Sequence, residues 1–67
     1  MAKAGRVRRA LERRFVKVRQ RGSHITFRVD GGTAIYAFHD NRDLGEKHLQ
    51  MIAKDFRLTL TQLKELL

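Results

Sequence analysis

The chain has 67 residues, a net charge of +8 and no cysteine or proline. This length permits one domain, residues 1–67, with a thin core, and the lack of cysteine excludes disulfides and thiolate metal sites. No apolar run is long enough to span a membrane, and the basic start lacks the apolar segment of a signal peptide, so we expect a cytoplasmic protein without a membrane partner.

The positive charge is concentrated at one end of the chain. Residues 1–21 contain nine lysines and arginines against one glutamate, whereas residues 22–67 contain six basic and six acidic side chains. This asymmetry favours a polyanionic partner, with a merely solvated basic surface as the alternative. The arginines expected to contact RNA phosphates are Arg6, Arg8, Arg9, Arg13 and Arg21.

A helix is predicted over residues 3–14, with some fraying allowed for residues 1–5. The apolar residues Ala4, Val7, Ala10 and Leu11 recur three to four positions apart, which is the spacing of one buried helix face. Arginines occupy the other faces. The apolar stripe is narrow and lacks large side chains, so the pattern favours a packed helix over one lying on a membrane.

Three strands are predicted next, over Phe15–Gln20, Ser23–Val29 and Thr33–Phe38, with turns at residues 21–22 and 30–32. A loop at residues 21–22 would pair Val18 with Ile25. A second loop at residues 31–32 would pair Ile25 with Phe38, and a loop at residues 30–31 would shift that register by two and keep the same faces. The predicted apolar face consists of Val16, Val18, Ile25, Phe27, Val29, Ala34, Tyr36 and Phe38.

The opposite sheet face is predicted to be polar and cationic. Its members are Lys17, Arg19, His24, Thr26, Arg28 and, beyond the third strand, His39. In the first of the two registers, Arg19 and His39 flank His24 on the neighbouring strands. His24 therefore lies at the centre of the predicted surface.

Two further helices complete the predicted fold. Residues 43–46 resemble a capping box that starts a helix with a buried stripe of Leu49, Ile52, Ala53 and Phe56. Residues 59–62 form a second capping pattern and begin a short last helix. The prediction is an α+β domain of order α-β-β-β-α plus a short C-terminal helix, in which helices cover one face of a three-stranded antiparallel sheet.

RNA cleavage is the chemistry that these residues suit best. The ribose 2′-hydroxyl supplies the nucleophile, so the protein has only to transfer protons and stabilise a charged phosphorane. A histidine can transfer the proton, and cations such as Lys17, Arg19 and Arg28 can stabilise the charge. A metal site at His39, Asp40 and Asp43 is disfavoured, because these residues lack a recognised ligand spacing. No cofactor motif is present.

The ordered segments Arg19–His24 (RQRGSH), Phe38–His39, Asp43–Leu44 and Leu58–Thr59 resemble the HicA (YcfA-like) toxins of bacterial toxin–antitoxin pairs. The similarity covers residues 10–67. It implies a fold like that of double-stranded-RNA-binding domains, and a metal-independent endoribonuclease that cleaves mRNA. It also implies that His24 is the catalytic residue and that a cognate HicB-like antitoxin covers this histidine.

The chain departs from the family pattern at several turns and caps. Arg14 stands where the family usually has glycine before the first strand, and Phe56–Arg57 replaces the usual Ala-Gly. Lys47 replaces a common glycine, and Ala37 a common proline. These changes affect local geometry more than the role of His24.

Two other functions remain open from the residues. One is a non-catalytic RNA-binding domain that uses the same basic face. The other is an interaction domain that docks an acidic protein through residues 1–21. Only His24 separates the ribonuclease from the RNA-binding domain, and His39 is a candidate proton donor to the leaving oxygen.

Overall fold

The computed structural model describes residues 1–67 and shows an α+β fold. None of its helices has the length and apolarity needed to cross a membrane. In chain order the elements are β1 (Ala2–Lys3), α1 (Ala4–Arg14), β2 (Val16–Arg21), β3 (His24–Val29), β4 (Gly32–Tyr36), β5 (Asp43–Leu44), α2 (Glu46–Asp55) and α3 (Leu60–Leu66).

The helices pack on one face of the antiparallel sheet β2-β3-β4 and leave the other face open, which confirms the predicted fold class and the α-β-β-β-α order. The predicted apolar positions of α1 and α2 are buried. In the core, Phe56 of the α2 C-cap contacts the rings of Phe15 and Phe27, at centroid distances of 5.2 and 5.6 Å. The side of β3 that carries Phe27 therefore faces the helices, and the other side faces outward.

The register of β3 and β4 follows the second of the two predicted alternatives. Ile25 pairs with Tyr36 and Phe27 with Ala34, so Asp30–Gly31 is the two-residue loop and the pairing of Ile25 with Phe38 is wrong. Gly31 has φ of 78°, a conformation that glycine adopts without steric cost.

The predicted pairing of β2 with β3 is wrong. Arg21 pairs with His24, so the loop is Gly22–Ser23, and a bulge between Lys17 and Arg19 shifts the register again. Gly22, at the first loop position, has φ of 59°, as a type II′ turn requires. The bulge turns Val16 to the outer face opposite Arg28, and Val16 and Val18 are 66% and 49% exposed instead of buried.

A short second sheet joins the N-terminus of the chain to the segment that precedes α2. Ala2 and Lys3 of β1 pair with Leu44 and Asp43 of β5, and this two-stranded sheet was not predicted. Asp43 pairs with Lys3 at 3.0 Å and does not cap α2. The N-cap is Gly45, whose N–H donates to Nδ1 of His48, so the capping interaction lies two residues later than predicted.

The segment before β5 packs closely on α1. The N–H of Gly5 donates to the carbonyl of Asp40 at 2.9 Å, and a Cβ at Gly5 would lie 3.1 Å from Cβ of Asp40. The hydroxyl of Tyr36 donates to the carbonyl oxygen of Ala4 at 2.7 Å. These contacts hold the start of α1 against β4 and the loop that follows it.

Helix α2 ends in a Schellman motif. The N–H of Leu58 donates to the carbonyl of Ala53, and the N–H of Arg57 to that of Lys54. Arg57 has φ of 60°, although glycine is the usual residue at this position. The predicted cap of α3 is confirmed, because Thr59 Oγ1 accepts from the N–H of Gln62 while Gln62 Oε1 accepts from the N–H of Thr59.

Candidate active site

His24 begins β3 and lies on the open face of the sheet. Along β3 the residues alternate between exposed or half-buried positions (His24, Thr26, Arg28) and buried positions (Ile25, Phe27, Val29). Because side chains alternate across a strand, the first set shares the outer face. The prediction that His24 faces away from the core is therefore confirmed.

A shallow cavity of about 260 Å³ surrounds His24 on this face. It is lined by Arg19, Arg21, His24, Thr26 and Ile35. Arg21 pairs directly with His24, while Arg19, Thr26 and Ile35 form one row across the three strands. Directly paired side chains have Cβ atoms about 5 Å apart, so the guanidinium of Arg21 can reach a group bound at the imidazole.

The two arginines of the cavity have no carboxylate partner. The ion pairs of the chain hold Lys3, Arg8, Lys17 and Lys64 and do not include Arg19 or Arg21. No acidic residue lines this cavity. An anion that binds beside His24 would thus meet two unpaired guanidinium groups.

The predicted set of cations around His24 is only partly brought together. Arg19 lines the cavity, and Arg28 lies farther along the same face, opposite Val16 and Thr33. Lys17 is elsewhere, because the bulge places it opposite Phe27, where it pairs with Glu12 of α1. The position of Lys17 on the His24 face was predicted wrongly, since that prediction assumed a ladder without a bulge.

His39 does not lie beside His24. Strand β4 ends at Tyr36, opposite Ile25, and the chain then turns toward α1. His39 lines a different cavity, together with residues that include Arg8, Ser23, Phe38 and Asp40. The predicted cross-strand contact between the two histidines is wrong because it depended on the other loop register.

An ion-pair network fixes the loop that contains His39. The Arg8 guanidinium donates to both carboxylate oxygens of Asp40, at 2.9 and 3.1 Å, and to Glu12 at 2.8 Å. The hydrogen bonds from Arg8 hold the pKa of Asp40 below its ordinary value, and those to Asp40 raise the pKa of Arg8. Arg8 is therefore less available to a phosphate than the sequence suggested.

The arginines of α1 belong to the helical layer and not to the face of His24. Arg6, Arg9 and Arg13 are exposed, and Arg13 donates to the carbonyl of Leu66 at 2.9 Å. The positive end of the chain is thus divided between two surfaces. The open sheet face has Arg19 and Arg21, joined by Arg28 from the neutral part of the chain, and the helical layer has the α1 arginines.

The residues considered for a metal site are not grouped as ligands. No three histidine, aspartate or glutamate side chains come together in a way that could hold a metal ion. Asp43 pairs with Lys3, and Asp40 pairs with Arg8.

The position of Arg21 beside His24 was not predicted from the sequence. It was assigned to the general basic surface, whereas it is the direct strand partner of His24. The signal was present in the dipeptide Gly22–Ser23, because a type II′ turn has glycine first. That turn makes Arg21 the last residue of β2 and sets it opposite the first residue of β3.

One of the comparisons with known proteins found a match. The family model described as the HicA toxin of bacterial toxin–antitoxin systems matches residues 5–58, which is most of the chain and includes every residue of the cavity around His24. Neither curated proteins nor solved structures gave a match. The resemblance seen in the sequence is confirmed, and the chain belongs to the HicA toxin family of bacterial toxin–antitoxin systems.

Proposed function

We propose that this toxin is a metal-independent endoribonuclease that cleaves mRNA with His24 as its catalytic residue. The family supports nuclease activity in general. The catalytic role of His24 is supported by one observation: His24 lies in a cavity on the open sheet face beside Arg19 and Arg21, which form no ion pairs.

The proposed reaction uses the RNA's own 2′-hydroxyl as the nucleophile. His24 accepts the proton of this hydroxyl as its oxygen attacks the adjacent phosphorus, and the bond from phosphorus to the 5′ oxygen breaks. The leaving 5′ oxygen takes a proton from water, so the products are a 2′,3′-cyclic phosphate and a 5′-hydroxyl end. Arg19 and Arg21 stabilise the additional negative charge of the phosphorane.

An antitoxin is the second expected ligand of this face. The family implies an antitoxin partner. We propose that this partner is a HicB-like protein that covers His24, as in a type II toxin–antitoxin pair, and that the two proteins meet in the cytoplasm. A partner with acidic groups would meet Arg19, Arg21 and Arg28, which have no carboxylate partner within the chain. Binding there would block RNA by occupying the same cations.

The test is cleavage of a single-stranded RNA with and without a chelator, beside the same sequence with 2′-deoxyribose at every position. The proposal predicts that only the RNA is cleaved and that its fragments carry cyclic phosphates. Binding of both strands without cleavage would instead support the non-catalytic RNA-binding domain. Cleavage that stops when the chelator is added would overturn the metal-independent mechanism.

A further inference from the structure

A second cationic cavity, of about 370 Å³, lies at the end of β3 that is farthest from His24. Three arginines from three different parts of the chain line it: Arg14 at the end of α1, Arg28 of β3 and Arg57 after α2. Its volume is within the range of about 300–1,000 Å³ that small-ligand sites occupy. Asp30 is the only acidic residue that lines it.

The three guanidinium groups are not used by the fold as ion pairs. None of the ion pairs of the chain includes Arg14, Arg28 or Arg57. Arg57 donates only to the carbonyl of Asp55, two residues before it. The cavity therefore has an excess of positive charge that an anionic ligand can neutralise, and phosphate is an anion that arginine binds well through two parallel hydrogen bonds.

The wall of the cavity includes an aromatic ring with a guanidinium group over it. The Phe15 ring is partly buried, with the guanidinium carbon of Arg14 4.8 Å from its centroid. Unstacked RNA bases bind to aromatic rings and to the planes of arginine guanidinium groups. A ligand that has both a phosphate and a planar base would use both parts of the cavity.

The backbone of Arg57 is a second and independent observation. Its φ of 60° is the left-handed conformation that arginine adopts only with strain and that glycine would adopt freely. A Cβ built on Gly32 would lie 4.0 Å from Nη2 of Arg57, so the side chain extends from the end of α2 toward the start of β4. Residues held in unfavourable backbone conformations cluster at functional sites.

We propose that this cavity binds one nucleotide of the RNA strand whose cleaved phosphate lies at His24. The inference rests on the proposed function, because it takes the substrate to be RNA. His24 and Arg28 lie on the same face of β3 and are four residues apart, which is roughly 13 Å along a strand. The strand would thus run along the open face, with its phosphates on Arg28 and Arg57 and a base on Arg14 and Phe15.

The experiment measures the affinity of a labelled single-stranded oligoribonucleotide at several salt concentrations. All variants carry His24→Ala, so that the RNA stays intact. Arg57→Gly and Arg14→Gln remove one cavity charge each, and Lys47→Gln removes one charge from the exposed surface of α2 as the matched control. The thermal midpoint of each variant is recorded, and Arg57→Gly is expected to fold well because it relieves the strained backbone.

We expect each cavity variant to bind RNA about 3- to 10-fold more weakly, and Arg57→Gly, which removes a phosphate contact, to lose about one unit of salt dependence. The control should change the affinity less than twofold. An equal effect of Lys47→Gln would show that only net charge matters, and unchanged affinity in both cavity variants would exclude RNA from the cavity; either result overturns the proposal.

A titration with adenosine 5′-monophosphate, followed by NMR at the amides of Arg28 and Arg57, tests whether the ligand of the cavity is RNA or a free nucleotide. Shifts at these amides combined with unchanged RNA affinity would mean a free-nucleotide site and would contradict the proposal. Weaker RNA binding by the cavity variants, combined with a wild-type protein that does not cleave RNA, would uphold the cavity and reject the ribonuclease.

Discussion

Arg57 has a left-handed backbone conformation at the C′ position of α2, where this type of helix end usually has glycine. For residues other than glycine the conformation costs about 1–2 kcal/mol. We therefore predict that Arg57→Gly raises the free energy of unfolding by about 1 kcal/mol and the thermal midpoint by roughly 4–8 °C. Thermal unfolding followed by circular dichroism checks this, and a lower midpoint would mean that the arginine side chain stabilises the fold by more than its backbone strain.

At the residue scale, the sequence predicted correctly which sheet face His24 occupies, but it misplaced several of the residues around it. The face of His24 follows from the alternation of apolar residues in β3 alone, so it does not depend on any pairing. The neighbours depend on the exact register of two turns. Arg21, Lys17 and His39 were misplaced for this reason, whereas Arg19 reaches the cavity in either register.

At the element scale, the periodic segments were predictable and their junctions were not. The apolar spacing of α1 and α2 and the alternation of β3 indicate how each element packs. The bulge in β2 has no signature in the sequence, because nothing in Lys17–Val18–Arg19 distinguishes a bulged strand from a regular one. The two-residue strands β1 and β5 are too short to have a periodicity.

The contact between β4 and α1 makes stability depend on pH at the alkaline end. Burial raises the pKa of Tyr36 above its ordinary value of 10.0, because its hydroxyl lies inside the fold and donates to Ala4. The neutral phenol is thus favoured in the folded state. Its contribution is complete below about pH 10 and is lost as the pH rises above that value.

We predict that the wild-type protein loses stability above about pH 10 more steeply than Tyr36→Phe does. At neutral pH the variant should be less stable by about 1 kcal/mol, the usual value of one hydrogen bond. Urea denaturation at a series of pH values measures both effects. Since Tyr36 is the only tyrosine, tyrosinate absorbance reports its ionisation directly. Parallel pH profiles for the two proteins would contradict the assigned role of the buried hydroxyl.

At the scale of the whole molecule, the net charge of +8 is divided between the helical layer and the open sheet face. The sequence located the excess in the first third of the chain but could not show this division, which arises because α1 and β2 belong to different layers. RNA at His24 would meet the sheet arginines first. The α1 arginines would then add long-range attraction, which salt weakens.

We predict that a HicB-like antitoxin from the neighbouring reading frame associates with this toxin at a rate that falls as salt rises. Replacing Arg19 and Arg21 by glutamine should slow the association and reduce its salt dependence, because these side chains have no carboxylate partner in the free toxin. Stopped-flow mixing at low and high salt measures both quantities. If the glutamine variant associates at the wild-type rate, the antitoxin binds elsewhere.

The most direct test of the central claim compares single-turnover cleavage of a single-stranded RNA by the wild type, His24→Ala and His39→Ala, with a chelator present. His24 is exposed, so its loss should change stability by no more than about 0.5 kcal/mol, while cleavage falls about 100-fold or more. His39→Ala, which alters a separate cavity, should stay within tenfold of the wild-type rate. A folded His24→Ala protein that cleaves RNA at the wild-type rate would contradict the account.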